Sequence, residues 1–186
     1  MSIRQMLDVC YLCWLSKPKA DRAIFHYLRK HSVKSIVELG LRDETRSLAM
    51  VRLAQYRSPG EEIRYAGIDL FEARAAGQAP LTLKQMHQAM NRAKATARLV
   101  PGDAFGGLAR SANQLQGTDL LVISAGHDEE NLARAWMYVP RLLSTTGRVL
   151  IADGPTVDDG PGFRLMEAAE IEERVRQAQK ARRSAA

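Results

Sequence analysis

Residues Ser35-Ile36-Val37-Glu38-Leu39-Gly40 make a short apolar run that stops at a glycine, and Leu41-Arg42-Asp43-Glu44-Thr45-Arg46-Ser47 follows with the polarity of a helix start. A buried strand that turns at a glycine straight into a helix is the opening unit of a parallel α/β sheet. Such a turn aims backbone N–H groups and a helix N-terminus at the crevice above the carboxyl edge of the sheet. Glu38, two positions before the turn glycine, suits a ligand with hydroxyl or ammonium donors. A nucleotide-binding loop of this type carries two further glycines, and Arg42 and Glu44 stand in those places.

The unit recurs along the chain. Apolar runs predict strands at 35–39, 63–68, 97–100, 119–124 and 148–152. The run at 119–124 is apolar after Asp119, as in a parallel strand covered on both faces. Helical patterning predicts helices at 4–15, from Pro18 to about 30, and at 43–56, 82–94, 105–115 and 129–143. Thr82 with Gln85 reads as a capping box, Asp128 as a cap, and Pro140 as a kink in the last turns of its helix. After a proline- and glycine-rich loop at 154–162, residues 163–183 predict a final helix. Strands alternating with helices at this spacing imply right-handed crossovers. The expected fold is therefore α/β, a Rossmann-like doubly wound parallel sheet of about five strands, truncated at the C-terminus. It forms one domain over 1–186, with N-terminal helices (1–32), core (33–155) and C-terminal helix (163–183).

Composition narrows the function. A chain of 186 residues, 46% hydrophobic and 26% charged, builds one good core and is not disordered overall. No apolar run approaches the roughly 18 residues that span a bilayer. Residues 1–19 also lack an apolar block followed by a cleavage site. The reading is a cytoplasmic protein without membrane contact. The net charge of +6 invites nucleic acid, but much of the excess sits in Arg174, Arg176, Lys180, Arg182 and Arg183 of the last helix. With no aromatic-interleaved basic strand and no zinc-finger spacing, nucleic-acid binding is not expected. Cys10 and Cys13 share one helix face at i, i+3 and read as buried core thiols. Tyr11, Leu12, Trp14 and Leu15 give the first helix more apolar surface than one face can bury, so a homo-oligomer is expected.

Markers fall at the ends of successive strands: Glu38 with Gly40, then Asp69, then Asp103, then Ser124 through His127. In an open parallel sheet all of these face one crevice. An acid after the second strand is placed to accept from ribose hydroxyls, and one after the third lies near an adenine amino group. Here the chain resembles the class I S-adenosylmethionine-dependent methyltransferases. The resemblance rests on Val37-Glu38-Leu39-Gly40, Gly67-Ile68-Asp69-Leu70-Phe71, Pro101-Gly102-Asp103-Ala104-Phe105, Asp119-Leu120-Leu121-Val122-Ile123-Ser124 and Gly147-Arg148-Val149-Leu150-Ile151-Ala152-Asp153, and covers about residues 33–155. Ala125-Gly126-His127-Asp128 is similar to the turn of the small-molecule O-methyltransferase branch. The resemblance implies S-adenosylmethionine as cofactor, with Glu38 and Gly40 at its methionine end. It puts Asp69 and Leu70 at the ribose, Asp103 and Ala104 at the adenine, and Ser124 at the same crevice. The acceptor would be an unidentified small molecule, with His127 or Asp153 taking its proton.

The departures from that pattern carry their own expectations. Arg42, in a glycine's place, offers a guanidinium fork to the methionine carboxylate, whereas Glu44 would repel it. Ser124 stands where the metal-using branch has an aspartate, so no metal is expected. Each marker also has a plain structural reading, with Asp69 and Asp103 as helix caps and Gly40 as a turn. A catalytically inactive binding or scaffold protein of the same fold is the alternative to the enzyme.

Overall fold

The computed structural model describes residues 3–154 and 162–184. Helix α1 (Ile3–Cys10) runs into a π-helical turn, Tyr11–Leu15, and helix α2 (Arg22–Lys30) follows. The alternation then proceeds as strand β1 (Ser35–Leu39), α3 (Glu44–Arg57), β2 (Arg64–Asp69), α4 (Leu83–Arg92), β3 (Thr96–Pro101), α5 (Ala104–Ser111), β4 (Thr118–Ile123), α6 (Glu129–Ala135) and the short α7 (Val139–Leu142). Strands β5 (Leu143–Ala152) and β6 (Phe163–Leu165) and helix α8 (Ala168–Ser184) complete the chain. The six strands lie in the order β3-β2-β1-β4-β5-β6, with β6 antiparallel to β5 and the other pairs parallel. Strand order reverses between β1 and β4, which opens the crevice above them.

Period-two alternation on the strands divides the core. Ile36, Tyr65, Leu120, Val122 and Leu150 face one layer, built from α1 to α4. Val37, Leu39, Ile68, Leu121, Ile123, Val149 and Ile151 face the other, built from α5 to α8. The doubly wound sheet expected from the sequence is the one observed.

Three differences have physical causes. A sixth strand exists where a continuous final helix was expected, because Phe163, Arg164 and Leu165 pair with Ala152, Ile151 and Leu150 before α8 begins. Pro140 does more than kink its helix. The helix gives way to a 3-10 turn at Trp136–Tyr138, Pro140 sits in the first turn of α7, and β5 starts already at Leu143. Of the two thiols only Cys13 is buried, with burial raising its pKa, while Cys10 is exposed. The turn at Tyr11–Leu15 leaves Tyr11, Trp14 and Leu15 more than half exposed, next to exposed Ile3, Met6 and Leu7. Among the described residues no helix is long and apolar enough to cross a membrane.

Helix α5 packs closely against the end of β2. Gly107 of α5 lies so near the sheet that a Cβ there would stand 2.2 Å from Ile68 Cγ2. Gly107→Ala is expected to cost about 1–3 kcal/mol by overpacking. A lowered urea midpoint at constant m-value checks this, and an unchanged midpoint would mean that the end of β2 yields freely.

Candidate functional site

Backbone hydrogen bonds tie the strand ends into one rim. Gly40 N–H donates to Ile68 O (2.9 Å), Ser124 N–H to Leu39 O (3.0 Å) and Gly102 N–H to Asp69 O (2.8 Å). Gly40 adopts φ +73°, a left-handed turn that favours glycine. Above the rim lies a cavity of about 960 Å³. Gly40, Arg42, Asp69, Leu70, Asp103, Ala104, Ser124 and His127 all line it, so the sequence brought most of its candidate residues to one place.

Glu38 is not among the lining residues. On β1 it shares a face with Ile36, so its side chain points beneath α3 rather than off the strand end. Its carboxylate is 0% exposed. Oε1 accepts from Arg46 Nε (2.9 Å) and Nη2 (2.6 Å), and Oε2 accepts from Ser47 Oγ (2.7 Å) and Tyr65 OH (2.5 Å). Burial, reinforced by the Glu38 charge, pushes the Tyr65 phenol well above its usual range. The expected direct contact of Glu38 with a ligand is therefore replaced by an internal network in which every carboxylate oxygen has a partner.

Arg46 is the centre of that network, and sequence reasoning missed it. Its Nη2 also donates to Gly40 O (3.0 Å) and Ser124 Oγ (2.6 Å), joining the turn after β1 to the end of β4. Nη1 lies 3.6 Å from Asp21, without a hydrogen bond. Burial raises the Asp21 pKa, partly offset by Arg46 and Arg42. A signal was present: Arg46 and Ser47 fall on the same helical stripe as Met50, Val51 and Ala54, and a charge on an apolar stripe demands a buried partner.

Arg42 lines the cavity, but its guanidinium is engaged elsewhere. Nη1 pairs with Asp21 at 2.9 Å and Nε with Asp43 at 2.8 Å, so the grip expected on a ligand carboxylate is taken by two acids of the chain. Asp43 caps α3 by accepting from Arg46 N–H. Burial works to raise its pKa, and the Arg46 amide and the Arg42 side chain outweigh that and lower it.

Asp69 ends β2 and is almost enclosed. Oδ2 accepts from Leu41 N–H (2.8 Å), and Oδ1 accepts from Phe71 N–H (2.8 Å) and Arg74 Nε (2.7 Å). Arg74 comes from the alanine- and glycine-rich stretch after β2, whose composition gave no hint of a contact. Phe71, two residues after Asp69, holds φ +49° while buried, a strained corner beside the carboxylate. Asp103 caps α5 through Gly106 N–H (2.7 Å), and Asp128 caps α6 through Asn131 N–H (2.9 Å).

His127 lies over the glycine turn. A Cβ on Gly40 would meet its Nε2 at 2.8 Å, and among the described residues that buried nitrogen has no hydrogen-bond partner. Asp153, the other expected proton acceptor, is not a lining residue. It is held by Arg164 at 2.7 Å, and Arg164 turns its other nitrogens to Glu170 of α8 at 2.6 and 2.7 Å. The Asp153 N–H also donates to Gly162 O (3.1 Å), closing the β5–β6 stem. Among the described residues no group of three or more His, Cys, Asp or Glu is placed to hold a metal ion.

No known family's sequence model matches the chain, and no curated protein matches it. Solved structures do. The cofactor-bound Rv0187 from MTB aligns at 15% identity and TM-score 0.52, over 80% of this chain and 62% of that one. The O-methyltransferase TomG from Streptomyces achromogenes, in complex with SAM, aligns at 12% identity and TM-score 0.52, over 97% and 78%. The TDP-rhamnose 3′-O-methyltransferase CalS11, as apo structure, aligns at 16% identity and TM-score 0.54, over 83% and 66%. The chain thus spans less than two thirds of the length of Rv0187 and of CalS11. What is shared at such identities is the fold.

Proposed function

We propose that this chain, which has the class I S-adenosylmethionine-dependent methyltransferase fold, binds S-adenosylmethionine in the cavity above β1, β2 and β4 and passes its methyl group to a small molecule. The observation that carries the reading is convergence: Gly40, Asp69, Asp103 and His127, from four separate strand ends, line one open cavity of about 960 Å³. Asp69 would hold the ribose and Ala104 the adenine, and the turn at Gly40 has no Cβ to stand in the cavity. Nε2 of His127, buried and without a partner among the described residues, fits a ligand seated on Gly40.

When bound, the cofactor supplies an electrophilic methyl on sulfur, and the chain's own residues supply position. His127, rather than the ion-paired Asp153, would take the proton of the acceptor hydroxyl, since it lines the cavity and, among the described residues, its Nε2 has no hydrogen-bond partner. The test is calorimetric titration with S-adenosylmethionine and S-adenosylhomocysteine. Asp69→Asn, which keeps the shape and removes the charge, is expected to weaken both by roughly tenfold to a hundredfold. Equal affinity in the variant would sink the ribose assignment.

A second reading, a catalytically inactive protein of this fold, draws on the two arginines. Arg46 already donates to Gly40 O and Ser124 Oγ, and Arg74 to Asp69, so acceptors around the cavity have internal donors. Absence of heat at millimolar cofactor would favour it.

A further inference from the structure

Resting on the cofactor reading, we infer that Arg74 is a built-in occupant of the ribose subsite, an internal competitor that a ligand must displace from Asp69. A carboxylate offers about four lone-pair sites. Three at Asp69 are taken, by Leu41 N–H, Phe71 N–H and Arg74 Nε. One site remains, and a ribose diol brings two donors. The backbone donors are fixed by the turns after β1 and β2, which leaves the guanidinium as the removable member.

Arg74 is also the clasp of its segment. Nη2 donates to Leu41 O (2.6 Å), and Nη1 to Ala79 O (2.7 Å) and, at 3.4 Å, to Arg42 O. Among the described residues, the hydrogen bonds from residues 74–80 to the turn after β1 all run through this one side chain. Gln78 and Ala79 of the same segment line the cavity. Releasing Asp69 therefore unclasps the segment, and entry of the diol and opening of the cavity wall become one event. Arg74 is 9% exposed, so the cation is withdrawn from water while it holds the place of the hydroxyls. Its three carbonyl acceptors regain water when it leaves, which keeps the displacement reversible.

The experiment is calorimetric titration of the wild-type protein and Arg74→Ala with S-adenosylhomocysteine and with its 2′,3′-dideoxy analogue. Removal of the competitor is expected to tighten S-adenosylhomocysteine by roughly tenfold or more. The dideoxy analogue, which makes no demand on Asp69, is expected to bind both proteins alike. Unchanged or weaker S-adenosylhomocysteine binding in Arg74→Ala overturns the competitor, because Arg74 is then a bystander or a ligand contact. An equal gain for both ligands overturns it too, as mere loosening of the segment. If neither protein binds either ligand while both melt cooperatively, the cofactor reading itself fails and the competitor with it. If wild type and Arg74→Ala bind S-adenosylhomocysteine equally, the cofactor reading stands and this inference alone falls.

Discussion

Replacing Arg46 by leucine is expected to lower the free energy of unfolding by about 3–5 kcal/mol, the cost of leaving a buried charge without its partner. The Arg46 and Glu38 side chains are both 0% exposed and Asp21 is 2% exposed. Among the described residues, in Arg46→Leu the Glu38 carboxylate keeps only Ser47 and Tyr65 as donors, and Asp21 keeps only Arg42. Leucine fills most of the volume but cannot join Gly40 O to Ser124 Oγ, so the rim between β1 and β4 loses a brace as well. Urea unfolding measures the loss. The double change Glu38→Leu with Arg46→Leu is expected to be less damaging than Arg46→Leu alone, since removing both charges of a buried pair is often close to neutral. A single variant within 1 kcal/mol of wild type would mean that the pair is hydrated or dispensable.

A loss of similar size, about 3–5 kcal/mol, is expected for Trp136→Ala. Trp136 is 2% exposed, in the break between α6 and α7 created by Pro140, and packs in the cluster of Val149, Ile151, Met166 and Ala178. The guanidinium carbon of Arg174 stands 5.5 Å from the centre of its ring, so α8 lies against the indole. Helix α8 itself is highly charged and has only Val175 and Ala178 buried, which makes its docking depend on what it covers. The deficit is therefore expected to be local first. Amide exchange in α8 should accelerate well beyond that of β1 and β4, and undiminished protection in α8 would show that the helix is held by other contacts.

Apolar period made the sheet legible. The predicted run at 35–39 is β1 itself, and those for β2 and β4 fall within one residue of the observed strands. Local capping chemistry was equally direct: Thr82 with Gln85, Asp103 and Asp128 all start helices as their spacing implied. Strand β6 was hidden because three residues carry too little period to register, and only pairing with β5 makes them a strand. Crevice membership was readable for residues after the strand ends, since topology alone brings them together. For Glu38, inside a strand, position along the chain misled, and the parity it shares with Ile36 was the better guide. Arg74 lay beyond reach of pattern, because a long flexible side chain from an alanine- and glycine-rich stretch can reach many partners, and only the folded geometry selects Asp69.

The stem at β5 and β6 is closed at both of its ends. Ala152 pairs with Phe163, Asp153 N–H with Gly162 O, and Arg164 joins Asp153 to Glu170. The two ends of the connection between them are thus fixed by the core, whatever runs across. Gly154, at the stem, already borders the cavity. The stem is thus anchored from below: strand pairing and ion pairs tie both of its ends to the sheet and to α8, beside the cavity that Gly154 borders.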